Sequence, residues 1–139
     1  MMKPSVYFWV VGVLGLLFNL SGFVQAVFFF SGSEAILSQF TPEQLAYYEA
    51  LPGWRSVVWI LGVSTALIAS VLMLLRRSAS APIMFFGLLM LLIGIFHDSA
   101  LGWFDLVGPE GAVTYVVVAS GVTFLWLYAR RQNKTGVLR

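Results

Sequence analysis

The chain has 139 residues, of which 60% are hydrophobic and 10% are charged, and its formal net charge is +2. Soluble domains carry about 25% charged residues, so this composition indicates an integral membrane protein. There are no cysteines, which excludes disulfides, iron–sulfur clusters and thiolate zinc sites. The basic residues stand in short groups beside apolar runs, so we do not expect nucleic acid as a partner.

The first predicted element is a membrane helix over residues 5–30, long enough to cross the ~30 Å hydrocarbon core. Its small and polar residues recur at steps of three and four, so they lie on one stripe of the helix. They are Gly12, Gly15, Asn19, Gly22 and Ala26. Such a stripe lets a neighbouring helix approach closely, and the amide of Asn19 needs a partner in lipid. The apolar run continues past Val24-Gln25-Ala26, which resembles a signal-cleavage sequence, so we expect an uncleaved first span.

A short helix is predicted over residues 42–51 in the first connection. Thr41 can cap this helix, Pro42 suits its first position, and Gln44 can complete a capping box. The breaker Pro52-Gly53 would end it. A helix this short cannot span a membrane, and its two tyrosines indicate a position in the outer interface.

Three further spans are predicted over residues 54–75, 82–104 and 112–129. A loop over 105–111 is expected around the breaker Gly108-Pro109, and a disordered basic tail over 130–139. Small residues also form packing faces on the second and third spans, namely Gly62, Ala66, Ser70, Gly87 and Gly94. The sequence therefore predicts one all-α integral membrane domain over 1–139, a four-transmembrane-helix up-and-down bundle with a short interfacial helix in the first outer loop.

The charges predict an orientation for this bundle. Seven of the eight basic residues fall on one side of the membrane, while all six acidic residues fall on the other side with Arg55. The positive-inside rule then places both termini in the cytoplasm, with the lipid bilayer as the surrounding partner. So strong a bias argues against subunits inserted both ways up, so any homo-oligomer is expected to be parallel.

Depth along the helices predicts a polar layer in the outer half of the bundle. At the helical rise per residue, three side chains lie about 21–22 Å from the cytoplasmic ends of their spans, namely those of Asn19, His97 and Tyr115. Above them, near the outer mouth, we expect Gln25, Arg55 and Asp98. These six residues form the candidate substrate or proton pathway.

His97 is the only histidine in the sequence, and Asp98 follows it directly. An intramembrane His–Asp pair can carry protons or bind a polar ligand. The alternative is that His97 and Asn19 only bond across helices and hold the bundle, at about 0.6 kcal/mol per bond. Arg55 either extends its guanidinium group among the outer lipid headgroups, or it pairs with Asp98 or Glu49 to close an outer gate.

The sequence predicts no metal site, no cofactor and no enzyme activity. One histidine with scattered carboxylates does not supply the three or four ligands of a metal site, and a second histidine for haem is lacking. The serines have no basic residue placed to activate them, so a hydrolase is not expected.

Four short motifs stand close together in the first half of the chain. They are Phe18-Asn19-Leu20-Ser21-Gly22, Thr41-Pro42-Glu43-Gln44, Pro52-Gly53-Trp54 and Leu74-Leu75-Arg76-Arg77. As a set, these motifs resemble a family of small bacterial four-span proteins that is commonly labelled "sugar transporter". The resemblance covers about residues 15–86, and it implies four helices in a bacterial inner membrane.

The residues allow two functions. The first is a transporter or permease for a small polar molecule, working as a parallel oligomer with the polar layer as its path. The second is a non-transporting structural or accessory protein that binds a partner or a lipid through its outer loop, mainly over residues 43–54. A water-accessible cavity reaching His97 favours the first function, and a closed bundle with an exposed apolar patch on the loop helix favours the second.

Overall fold

Six helices build the computed structural model, which describes residues 2–139. In chain order they are α1 (Val6–Phe30), α2 (Glu34–Leu37), α3 (Pro42–Glu49), α4 (Gly53–Leu74), α5 (Ser80–Ala100) and α6 (Trp103–Lys134). Four of them, α1, α4, α5 and α6, are long and apolar enough to cross a membrane. The predicted all-helical four-span fold is therefore confirmed, and α3 is consistent with the predicted loop helix.

The long helices pack in chain order, α1 on α4, α4 on α5 and α5 on α6. The ring of four is closed by side chains between α1 and α6. The ring of Phe18 fills the space beside Gly121, and Leu125 fills the space beside Gly15. The core between the helices is apolar, with fully or nearly fully buried side chains at Phe8, Met73, Met84, Leu88 and Leu125.

Helices α4 and α5 approach each other closely at Gly62 and Gly87. A Cβ atom added at Gly87 would lie 3.2 Å from the nitrogen of Ala66 and 3.3 Å from the carbonyl oxygen of Gly62. These neighbours are backbone atoms of α4, which cannot move aside as a side chain can. A side chain at Gly87 would therefore separate the two helices.

The small-residue stripe of α1 is divided between two neighbours. Gly12 lies against Leu74 of α4, whereas Gly15 lies against Leu125 of α6. The structure differs from the prediction at Gly22, because nothing lies within 4 Å of a Cβ atom added there. Gly22 itself is half-buried, and the stripe is covered again one turn later at Ala26, which is 2% exposed.

The predicted loop over residues 105–111 is instead part of α6. The third span ends at Ala100, and Gly102 makes the turn with a left-handed φ of 78°. Helix α6 then starts at Trp103 and is interrupted by one non-helical residue, Gly108, with φ 68° and ψ −171°. Pro109 restarts the helix, since a proline at a first helical position loses no hydrogen bond. The breaker therefore produces a kink rather than a loop.

The predicted disordered tail is also folded. Helix α6 continues to Lys134, and Gly136 turns the chain with a left-handed φ of 75°. Val137 and Leu138 are then buried, with 3% and 4% of their surface exposed. They belong to the same apolar core as Phe8 and Met73. An apolar pair in a polar tail thus finds room under the end of the bundle, and burial holds it there.

Backbone hydrogen bonds fix the tail to the turn between α4 and α5. The nitrogen of Arg139 donates to the carbonyl oxygen of Arg76, and the nitrogen of Ser78 donates to a carbonyl oxygen of Arg139, each at 2.7 Å. We call this end of the molecule, with residues 75–79 and 130–139, the basic end. The opposite end, with α2, α3 and the turn between α5 and α6, is the acidic end.

Candidate functional site

A buried ion pair lies at the acidic end, between the first turn of α4 and the last turn of α5. Nη2 of Arg55 lies 2.7 Å from Oδ2 of Asp98, and Nε lies 3.2 Å from Oδ1. The two side chains come together because α4 and α5 are antiparallel neighbours. Only 8% of Arg55 and 3% of Asp98 is exposed, so the pair is bidentate and nearly removed from solvent.

Gly94 makes room for this ion pair. It precedes Asp98 by one helical turn, so both residues lie on the same face of α5. A Cβ atom at Gly94 would lie 2.7 Å from Nη2 of Arg55. The small face predicted for α5 therefore accepts a guanidinium group at Gly94 and a helix backbone at Gly87.

His97 joins the same carboxylate from the side. Its Nδ1 lies 3.1 Å from Oδ1 of Asp98, and the side chain is partly exposed. The ring of Trp54 meets the imidazole edge-on, with centroids 5.0 Å apart. When Nδ1 carries a proton, it can donate to Asp98, so the imidazole is oriented by the carboxylate and by Trp54.

Tyr47 brings the loop helix α3 onto this group. Its hydroxyl donates to Oδ1 of Asp98 at 2.9 Å. Helix α3 is held in place by the capping box of Thr41 and Gln44, and by Nε2 of Gln44, which donates to the carbonyl oxygen of Leu106 at 3.1 Å. We call Asp98, Arg55, His97 and Tyr47 the Asp98 cluster. It connects α3, α4 and α5 through one carboxylate.

Aromatic rings cover the mouth of the bundle beside this cluster. The ring centroid of Tyr48 lies 4.7 Å from that of Phe29, 5.7 Å from that of Trp59 and 4.9 Å from that of Trp103. Burial raises the pKa of both Tyr47 and Tyr48 well above the usual range. The hydrogen bond to Asp98 raises the pKa of Tyr47 further. Both hydroxyls therefore stay protonated, as hydrogen-bond donation by Tyr47 requires.

Asn19 does not meet the Asp98 cluster. Its Nδ2 donates to Oγ of Ser70 on α4 at 2.7 Å, and Ser70 in turn donates to the carbonyl oxygen of Ala66 at 3.0 Å. Ser70 is fifteen residues from Arg55 on the same helix, which is about 22 Å. The prediction that Asn19 shares one polar layer with His97 is therefore wrong.

The offset of α1 explains this difference in depth. Gly12, two turns into α1, packs against Leu74, the last residue of α4. The first turns of α1 thus extend beyond α4 at the basic end. Counting residues from the helix ends assumed one common starting level, and this assumption placed Asn19 too near to His97.

The two other predicted pathway residues, Gln25 and Tyr115, do not bond to Asp98, although Tyr115 lies beside the Asp98 cluster. Gln25 is exposed and makes no side-chain hydrogen bond with residues 2–139. Tyr115 is partly buried in α6, where its ring packs edge-on against Phe104 with centroids 5.1 Å apart, and its side chain neighbours Tyr48 of α3 and Trp103. The structure thus joins three of the six predicted residues, Arg55, His97 and Asp98, in one cluster, and it places Tyr115 beside that cluster.

Sequence reasoning missed Tyr47 as a member of the site. The capping box correctly indicated that α3 begins at Pro42, but it carries no information about where the helix lies. Tyr47 and Asp98 are 51 residues apart, and their contact depends on the position of α3 over the bundle. The two consecutive tyrosines in a short capped helix were the available signal.

Within residues 2–139, no group of three or more histidine and carboxylate side chains is placed to hold a metal ion. Comparisons with family models, with curated proteins and with solved structures find no match to this chain.

Proposed function

We propose that this chain is a non-transporting accessory protein of a bacterial cytoplasmic membrane, with both termini in the cytoplasm. The observation that carries the proposal is that the chain covers both ends of its own bundle. Helix α3 and the Asp98 cluster cover the acidic end. Val137 and Leu138 lie under the basic end. The bacterial location rests on the resemblance of residues 15–86, and the orientation rests on the positive-inside rule.

The pairing of polar side chains inside the bundle supports this proposal. A polar path needs groups that are free to exchange partners with a passing solute. Here Asn19 bonds to Ser70, and the hydroxyl of Ser80 donates to the carbonyl oxygen of Ala69 at 2.8 Å. Such bonds satisfy buried polar groups and hold helices together.

The surface offered to a partner is the acidic end. Exposed carboxylates there are Glu34, Glu43, Glu49, Asp105 and Glu110. The one cation of that end, Arg55, is buried and already paired with Asp98. The exposed face of α3 is therefore acidic, and α3 lacks the exposed apolar patch that would also have favoured an accessory function. This charge favours a partner with a basic segment.

A transporter or permease for a small polar molecule is the second candidate. The observation that favours it is the Arg55–Asp98 pair itself, because a buried ion pair at the mouth of a bundle can serve as a closed outer gate. His97 would then be the group that exchanges protons. A parallel oligomer belongs to this candidate, because one four-helix bundle encloses little volume.

Cysteine labelling separates the two functions, and the native chain has no cysteine to interfere. Single variants Ser70→Cys and Met84→Cys place a thiol in the core, and Glu43→Cys and Thr135→Cys place one in exposed positions at the two ends. Leu14→Cys, at a lipid-facing position, gives the level of labelling expected where no water reaches the thiol. A small water-soluble thiol reagent should label the two exposed variants and leave the core variants at the Leu14→Cys level. Core labelling above that level, lost on adding a solute, would support transport instead.

The partner itself can be tested with a photocrosslinking residue at Ala46, which is exposed on α3. The same residue at Leu14 is the matched control, since it faces lipid. We expect a discrete protein adduct from the Ala46 position only. Equal yields from both positions, or none from either, would contradict an accessory role of the acidic end.

A further inference from the structure

We propose that the basic end binds the phosphate headgroup of an anionic phospholipid on the last turns of α6. The site is a shallow groove lined by Leu127, Arg130, Arg131 and Lys134. The inference needs only a chain that lies in a bilayer. It therefore holds for an accessory protein and for a transporter alike, and its failure would leave both functions open.

The four lining residues follow the helix period. They are spaced by three, one and three positions, which places them on one stripe of α6. Leu127 is half exposed and begins the stripe, and the three cations follow toward the end of the helix. From Leu127 to Lys134 the helix rises about 10 Å, enough to pass from acyl chains into the headgroup region. The stripe therefore matches an amphiphile lying along the helix.

The cations of this groove are free to bind an anion. The salt bridges within residues 2–139 both belong to Asp98, at the opposite end of the bundle. Arg130 and Arg131 are exposed, and Arg130 lies 5.8 Å from the ring centroid of Trp126. This cation–π contact orients the guanidinium group. Two adjacent guanidinium groups suit a phosphate, which each can bind with two hydrogen bonds.

A second groove at the basic end has a similar composition, with one leucine and three basic residues. It is lined by Leu75, Arg76, Arg77 and Arg139. The folded tail creates it, because the hydrogen bond from Arg139 to Arg76 joins residues 63 positions apart. Nε of Arg76 already donates to the carbonyl oxygen of Val137, so this groove has fewer free donors than the first. It adds to the positive surface of the basic end.

The competing explanation is that these cations only direct insertion of the chain, as the positive-inside rule describes. Insertion alone requires no preference among lipids once the protein is folded. A headgroup site requires such a preference, and it requires the two arginines and the lysine of the groove.

The test uses the full chain, purified in a neutral detergent. Dioleoylphosphatidylglycerol, dioleoylphosphatidylcholine or inorganic phosphate is titrated in, and the melting temperature and the lipids retained in native mass spectrometry are recorded. We expect saturable stabilisation and retention with phosphatidylglycerol only. Equal effects of phosphatidylcholine would overturn the proposal. Equal effects of inorganic phosphate would also overturn it, because they would indicate a site for free anions.

Variants locate the effect on α6. Arg130→Gln/Arg131→Gln/Lys134→Gln should raise the phosphatidylglycerol concentration for half-maximal stabilisation by about tenfold or more. The matched control Ala35→Glu/Ala46→Glu/Ala50→Glu lowers the net charge equally at exposed positions of the acidic end, and should leave that concentration unchanged. Arg130→Lys/Arg131→Lys keeps the charge and should retain part of the binding. An unchanged titration in the triple glutamine variant would contradict the site.

Discussion

At the scale of single residues, Asp98 is the group on which the acidic end depends. Its two oxygens lie within hydrogen-bond distance of Arg55, Tyr47 and His97, which come from α4, α3 and α5. Isolated buried charges are costly, and pairing with additional hydrogen bonds offsets that cost. Removing one side chain of the Asp98 cluster should therefore lower the stability of the fold by more than the loss of a single exposed contact would.

We expect Asp98→Asn to lower the free energy of unfolding by about 3–5 kcal/mol, because it leaves the guanidinium of Arg55 buried without a counter-charge. Asp105→Asn changes an exposed carboxylate at the same end and should cost no more than about 0.5 kcal/mol. The double variant Arg55→Met/Asp98→Leu should recover most of the loss. Denaturation in detergent, followed by tryptophan fluorescence, measures all three. Equal effects of the two Asp→Asn changes would contradict a buried pair.

Because Tyr48 is partly buried, we expect the folded protein to lose stability in alkaline solution. Burial raises its pKa in the folded protein, so the folded chain keeps this proton to a higher pH than the unfolded chain, whose tyrosines ionise near pH 10. The stabilisation is complete below pH 10 and is lost as the pH rises above it. One such group changes the free energy of unfolding by up to about 1.4 kcal/mol per pH unit.

Tyr48→Phe should therefore make the decline above pH 10 shallower by about one group's contribution. Tyr7→Phe removes an exposed hydroxyl and serves as the control. Melting temperatures measured from pH 8 to pH 11.5 provide the comparison. A decline equally steep in the native chain and in Tyr48→Phe would show that burial of this hydroxyl does not matter.

At the scale of helices, close packing of α4 on α5 depends on glycine at the crossing. Gly87→Ala should cost about 1–3 kcal/mol, since its Cβ atom would meet backbone atoms of α4. Gly22→Ala is the matched control in α1, where the space is open, and should stabilise by about 0.5–1 kcal/mol through helix propensity. The two changes in melting temperature should have opposite signs. The same sign for both would contradict the crossing.

The long helices could be predicted from the sequence because hydropathy and the helix period are local properties. The ends of these helices depended on less local effects. Gly108 and Pro109 carry strong turn signals, yet a helix resumes directly after them. Val137 and Leu138 are two apolar residues in a polar tail, and only the space beneath the bundle decides that they are buried.

Only part of the candidate site could be predicted from the sequence, because its other contacts depend on non-local packing. Arg55 and Asp98 lie near adjoining ends of antiparallel helices, so their pairing could be weighed from the sequence as one of two alternatives. The contact of Tyr47 with Asp98 could not, because it depends on how α3 folds over the bundle. Asn19 was placed at the wrong level because the offset of α1 against α4 is set by side-chain packing.

At the scale of the whole molecule, charge and packing describe a bundle that is closed and polarised. Five exposed carboxylates lie at one end, and the basic side chains, apart from the buried Arg55, lie at the other. Apolar packing fills the space between the two ends. On our account this polarity fixes the orientation in the membrane, directs the acidic surface to a partner outside the cell membrane and places the basic grooves among anionic headgroups.

In the proposed topology, the chain crosses the membrane four times with its acidic end outside. The most direct test labels single cysteines in intact and in permeabilised cells with a membrane-impermeant maleimide. Glu43→Cys and Asp105→Cys report the acidic end, and Ser78→Cys and Thr135→Cys report the basic end; all four positions are exposed. We predict that the first two are labelled in intact cells and the other two only after permeabilisation. Labelling of Ser78→Cys together with Glu43→Cys in intact cells would contradict the account, because α4 would not then cross the membrane.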